Sequence, residues 1–98
     1  MPDDLLSIEA FGDKIGQAFA LDEADAPAVP LTLIEAKPLR NYANAKRIPF
    51  SLMFTTKGDF ILPQRMYALR HEVLGPLSIF LVPLSHEGGI STYQAIFN

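Results

Sequence analysis

The chain has 98 residues, 49% of them hydrophobic and 19% charged, with a formal net charge of −3. That is enough apolar material for one core and too much for a disordered chain, so one domain spanning residues 1–98 is expected. No cysteine is present, which excludes disulfides, thiolate metal sites and cysteine nucleophiles and fits a reducing compartment.

The opening MPDDLLSIEAFGDK carries acids and no basic run before its apolar residues. It does not read as a secretory leader, and a cytoplasmic protein is expected. Ser7 suits a helix N-cap, and Glu9 and Asp13 suit a first turn, while Gly12 and Gly16 keep the helix short. Gln17 to Leu21 alternates large and small side chains as a strand does. Asp22 to Pro30 reads as a solvated acidic loop, Leu31 to Ala36 as a strand, and Lys37 to Arg47 as a polar connection.

Ile48 to Thr56 shows the clearest alternation, with Phe50, Leu52 and Phe54 on one face. Lys57-Gly58-Asp59 is a turn, and Gln64 to His71 is a strand. Leu77 to Val82 is apolar on both faces, with Pro83 bending or ending it. Only one of its two sets, Leu77, Ile79 and Leu81 or Phe80 and Val82, can face inward. We expect Phe80 and Val82 to join Phe50, Leu52, Phe54, Tyr93 and Phe97 in one core. The other set then needs cover, from the N-terminal helix through Phe11 and Ile15 or from a second copy. His86 to Gly89 reads as a turn and Ile90 to Phe97 as a strand. That last strand is expected to close the sheet, with Leu77 to Leu84 as hairpin partner across Gly88-Gly89. The sum is a mainly β fold, a small antiparallel barrel or sandwich of about six strands with one short N-terminal helix.

The longest nearly uncharged stretch, Val73 to His86, is broken by Gly75, Pro76 and Pro83. It is too short for a membrane helix, which needs about 20 apolar residues. No glycine pattern for phosphate or dinucleotide binding is present, and no serine sits in a nucleophile-elbow context. His71 and His86 are fifteen positions apart with no clustered carboxylates, so neither a metal nor a cofactor is expected. His71 shares a face with Tyr67 and Leu69 and reads as a structural histidine; His86 reads as a solvated loop tip. Residues 1–26 hold seven acids and one base, for a net −6, whereas 27–98 hold four acids and seven bases, for a net +3. This asymmetry fits an acidic loop or a polarised surface.

Two groups of residues are candidates for binding. Arg40, Tyr42, Lys46 and Arg47 interleave bases with an aromatic, which suits a protein partner or a phosphate backbone. The acidic balance of the chain disfavours nucleic acid. Tyr67, His71 and Tyr93 form the alternative, a polar mouth of a barrel that binds a small ligand.

Five phrases taken in order, Phe50-Ser-Leu-Met-Phe54, Leu62-Pro-Gln-Arg-Met-Tyr67, His71-Glu-Val-Leu-Gly75, Ile79-Phe-Leu-Val-Pro83 and Tyr93-Gln-Ala-Ile-Phe-Asn98, resemble a known family. It is a small bacterial family of about one hundred residues, known only as a domain of unknown function. The resemblance runs from Phe11 to Asn98 and carries no assigned activity, so it supplies no catalytic residues. The resemblance implies a structural or assembly role, because in some genomes members are encoded near phage-tail collar-like proteins. The expected function is therefore a non-catalytic structural or protein-interaction domain, with self-association open. A small-ligand-binding barrel is the alternative, and an enzyme is the least favoured reading.

Overall fold

Every described strand pairs on both sides, so the sheet closes into a barrel of order β1-β2-β3-β6-β5-β4 with all neighbours antiparallel. The computed structural model describes residues 7–26, 29–39 and 49–97. Its elements are α1 (Ile8–Gly12), β1 (Ala18–Leu21), β2 (Pro30–Pro38), β3 (Phe50–Lys57), β4 (Arg65–His71), β5 (Gly75–Glu87) and β6 (Ile90–Phe97). The mainly β reading therefore holds in its barrel form, with one short helix. Arg40, Tyr42, Lys46 and Arg47 lie outside the described residues.

Alternation builds the core. Phe50, Leu52 and Phe54 of β3 meet Tyr93, Ala95 and Phe97 of β6, and all six are buried. Phe19, Leu31, Leu33, Tyr67, Leu69, Leu77, Ile79 and Leu81 complete the filling. A barrel of few strands has room only for its own side chains, and this interior is packed rather than hollow. Phe11 enters one end of the barrel, its ring centroid 5.8 Å from that of Phe97, 5.9 Å from Phe50 and 6.3 Å from Phe19.

That placement corrects the expected role of the helix. α1 plugs the end of the barrel through Phe11 and does not lie over a sheet face, and Ile15 is half exposed. Ser7 stands at the N-cap position, but its hydroxyl makes no capping bond. Instead the Ser7 hydroxyl and the local backbone N–H hold the Glu9 carboxyl below the usual carboxylate range, the backbone contributing more. Past the helix, the Gly16 N–H donates to Leu33 O at 2.7 Å and the Leu33 N–H to Gln17 O at 3.1 Å, which ties the plug to β2.

β5 differs most from expectation. Pro83 does not end it, because the strand runs thirteen residues to Glu87. Gly75 to Leu81 register with β4, whereas Val82 to Glu87 register with β6. The hairpin partner of β6 is thus Val82–Glu87, reached through Gly88 and Gly89 at φ 60° and 76°, the left-handed pair that a two-residue hairpin demands. The inward set is Leu77, Ile79 and Leu81; Phe80 is 44% exposed and Val82 half-buried, so these two leave the predicted core. β2 also runs two residues further than read, to Pro38.

Two bulges curl the sheet. The register shifts by one residue between Leu33 and Glu35 and again between Pro83 and Ser85. Ile34 and Leu84 are the extra residues, and both project outward. A bulge adds local twist, which a small barrel needs in order to close. It also reverses the inside–outside parity of all that follows, so His86 shares the inner side with Ser91.

Candidate functional site

The closing seam between β1 and β4 holds only two register pairs, Ala20–Arg70 and Leu21–Leu69. Beyond them the loop after β1 continues the pairing with other groups. The Asp22 N–H donates to Ala68 O at 2.9 Å. Glu23 Oε2 accepts the Ala68 N–H at 2.7 Å, so a carboxylate stands where a strand carbonyl would be. Arg65 donates to Met66 O at 2.7 Å and lies within 3.6 Å of Glu23 and 3.5 Å of Asp25, while Arg70 reaches Asp22 at 3.1 Å. The acidic loop is therefore fastened to the bases of β4 and is not simply solvated. Exposed pairs of this kind contribute little each, about 0–1 kcal/mol; the Glu23 hydrogen bond to a backbone N–H matters more.

At this end lies a recess of about 190 Å³ lined by Asp25, Phe60, Leu62, Arg65 and Tyr67 among others. The Arg65 guanidinium sits 4.2 Å from the centroid of the Tyr67 ring, in cation–π range. The Tyr67 hydroxyl donates to Pro63 O at 2.6 Å, and the Tyr93 hydroxyl accepts the Leu62 N–H at 2.8 Å. The two tyrosines thus pin the Leu62–Pro63 segment across the barrel end from below. Burial raises the Tyr67 phenol above the ordinary tyrosine pKa, and the positive Arg65 pulls it the other way.

His71 stands toward the opposite end. Its Nδ1 accepts the N–H groups of Val73 at 3.1 Å and Leu74 at 3.2 Å. Its proton therefore sits on Nε2, which donates to Gln17 Oε1 at 2.7 Å. The ring caps the β4–β5 turn and packs on Phe19 at 4.6 Å between centroids. Both nitrogens are engaged within the fold, which is the geometry of a satisfied structural histidine.

Of the three residues of the predicted ligand mouth, Tyr67 lines the recess beside Arg65, and His71 lines a different hollow with Arg70 and Glu72. Tyr93 is fully buried in the core. The structure does not bring the three to one wall. His86, expected at a solvated tip, lies in β5 with Nδ1 2.7 Å from Ser91 Oγ. The pair resembles a nucleophile and its base, but the roles are reversed. The Ser91 hydroxyl already donates to Phe60 O at 3.0 Å, so His86 must donate to Ser91. Ser91 is also wholly buried, which denies it a substrate. This chain of bonds fastens the β3–β4 connection to the β5–β6 hairpin. The bulge at Leu84 creates the contact, and the sequence carries no clear signal of it.

Among the described residues no group of three or more His, Cys, Asp and Glu side chains could hold a metal ion. No helix among them is long and apolar enough to cross a membrane. The fold and its polar clusters define a small, filled antiparallel barrel in which the Tyr67, Tyr93 and Ser91 hydroxyls and the His71 imidazole bond to the protein's own loops and turns, while the buried Thr56 hydroxyl has no partner among the described residues. The chain belongs to the family described as Domain of unknown function (DUF6916), which it matches over residues 6–97. Neither a curated protein nor a solved structure shows a significant match.

Proposed function

We propose that this barrel is a non-catalytic protein-interaction domain that acts in the cytoplasm as an accessory of a phage-tail-like assembly. One observation carries the interaction reading: Met66, Phe80 and Ile96 stand 44–52% exposed on the outer face of three neighbouring strands. Large apolar side chains grouped on one face mark a contact surface more often than singly scattered ones do. The tail-like setting is supported by the resemblance of the sequence to proteins encoded beside tail-collar-like genes. Arg40, Tyr42, Lys46 and Arg47 supply a second, basic contact in this proposal. The test is density-gradient isolation of tail-like particles from the native host carrying a tagged copy of the chain. Co-sedimentation that is lost with Phe80→Glu supports the reading, and a chain found only at the top of the gradient overturns it.

A second reading, a small-ligand-binding barrel, is favoured by the recess where Arg65 overlies Tyr67. A carboxylate ligand would displace Asp25 from Arg65, with Tyr67 as the floor. Thermal-shift screening with small aromatic carboxylates tests it. Stabilisation that disappears with Arg65→Met supports this second function.

A further inference from the structure

We propose that the outer face of β4, β5 and β6 seats a second copy of this chain in a two-fold pair. The inference rests on the interaction reading above and names the partner. Met66 registers directly with Phe80. Val82 registers with Gln94, so Phe80, two residues before Val82, and Ile96, two residues after Gln94, share the same outer face. With α1 occupied as the plug of the barrel end, nothing in the helix is left to cover this face.

Charge selects the occupant. Of the outward residues from Met66 to Arg70 on β4, Pro76 to Val82 on β5, Thr92 to Ile96 on β6 and Ser51 to Thr55 on β3, Arg70 is the single charge. It stands at the rim and is paired with Asp22. A partner of opposite charge would have nothing to grip here, whereas a two-fold contact requires a patch that tolerates its own image. An uncharged patch places no like charges across the axis.

The acids complete the argument. Asp22, Glu23 and Asp25 follow β1 and are bonded to β4 at one edge of the face, and β1 lies two strands from β5. A two-fold axis along β5 therefore places the two acidic loops on opposite flanks of the contact, about 19 Å apart at strand spacings of about 4.8 Å and beyond a Debye length of about 8–10 Å. With the two-fold axis along β5, Phe80 meets its own copy and Met66 meets Ile96 of the second copy. Four strands about 4.8 Å apart and five to seven residues long present roughly 300–450 Å² in projection. A standard stable interface takes about 800 Å² from each partner. The pair is accordingly a weak one that forms at high local concentration, as in an assembly.

The experiment is light scattering on the purified full chain over a concentration series reaching the millimolar range. The wild type is expected to pass from the mass of one chain, 10.8 kDa, to twice that value. Phe80→Glu is expected to raise the dissociation constant at least tenfold with an unchanged circular-dichroism spectrum. Ile34→Glu, on the β2 bulge, is expected to leave it unchanged. Because the chain has no cysteine, Ser78→Cys provides an independent probe: a short bis-maleimide should join two copies through it, and should fail with Ala20→Cys across the barrel. A wild type monomeric throughout, a Phe80→Glu chain that pairs like the wild type, or equal cross-linking at both cysteines overturns the proposal. A monomeric wild type whose co-sedimentation with particles still depends on Phe80 overturns the second copy alone and leaves the interaction reading standing.

Discussion

Phe97 lies flat on Phe50, with ring centroids 4.8 Å apart and planes 4° from parallel. The two are register partners on β6 and β3, and Phe11 rests against both. The stack joins the last described strand to a strand almost fifty residues earlier. Phe97→Ala is expected to cost about 3–5 kcal/mol in urea unfolding. A double-mutant cycle with Phe50→Ala should return a coupling of about 0.5–1.5 kcal/mol. A coupling near zero would mean that the rings share a core without supporting each other.

The parity of β5 is tested by neighbours. Leu81 is wholly buried and Phe80 is not. Leu81→Ala is expected to destabilise by about 2–5 kcal/mol. Phe80→Ala, although it removes a larger side chain, should cost less than about 1 kcal/mol in the dilute monomer. The reverse order in chemical denaturation would put Phe80 inside.

This pair also shows what a sequence of this kind reveals. β3 was legible because Phe50, Leu52 and Phe54 fall on one face while Ser51, Met53 and Thr55 fall on the other, so only one register buries both aromatics. β5 offers large apolar residues to both faces, and a period of two cannot then say which set faces in. The bulges at Ile34 and Leu84 are silent for the same reason, since an extra apolar residue in an apolar strand breaks no visible pattern. The turn at Gly88-Gly89 was legible because only glycine accepts both backbone conformations cheaply. The bonding of Asp22 and Glu23 was not legible, because it depends on where barrel closure brings β4. Tyr67, His71 and Tyr93 could be picked out as polar-tipped residues on strands. Which end of the barrel each one serves is a matter of register alone.

His71 holds a turn rather than a substrate. His71→Leu leaves the Val73 and Leu74 N–H groups without their acceptor. A loss of about 1–3 kcal/mol is expected from groups orphaned in this way. Amide hydrogen exchange should localise the damage, with faster exchange at Val73 and Leu74 than in β3. Uniform loss across all strands would instead indicate a packing defect beside Phe19.

Glu23 is the next test of the seam. Glu23→Gln keeps an oxygen for the Ala68 N–H, and Glu23→Ala does not. The Ala variant should lose about 1 kcal/mol or slightly more, because the bond involves a charged acceptor. The Gln variant is expected to lie between it and the wild type. The Ala68 amide itself should exchange markedly faster in Glu23→Ala. Equal exchange in both variants would show that water replaces the carboxylate freely.

Tyr67 makes the barrel sensitive to alkali. Its phenol is raised above the ordinary 10.0 by burial, against the opposing pull of Arg65. The folded state therefore holds its proton to higher pH than the unfolded chain does. The stability linked to that proton is complete below the unfolded pKa and is lost as pH rises through the raised value. Tyr67→Phe should lose the bond to Pro63 at neutral pH, about 0.5–1.5 kcal/mol. It should also flatten the decline of urea midpoints above about pH 10. Parallel alkaline declines in the two proteins would assign the sensitivity elsewhere.

The position of β6 between β3 and β5 has a consequence during synthesis. β1, β2 and β3 leave the ribosome first, and the free edge of β3 cannot be covered until β6, some thirty residues later, has been made. Through that interval the nascent chain presents an unpaired strand bearing Phe50, Leu52 and Phe54, the kind of edge that chaperones hold and that neighbouring nascent chains invade. Slowing translation between Lys57 and Ile90 would lengthen the exposure without changing a single native contact. The yield of folded barrel in a cell is therefore expected to fall when translation is slowed there, even though the stability of the finished barrel is unchanged.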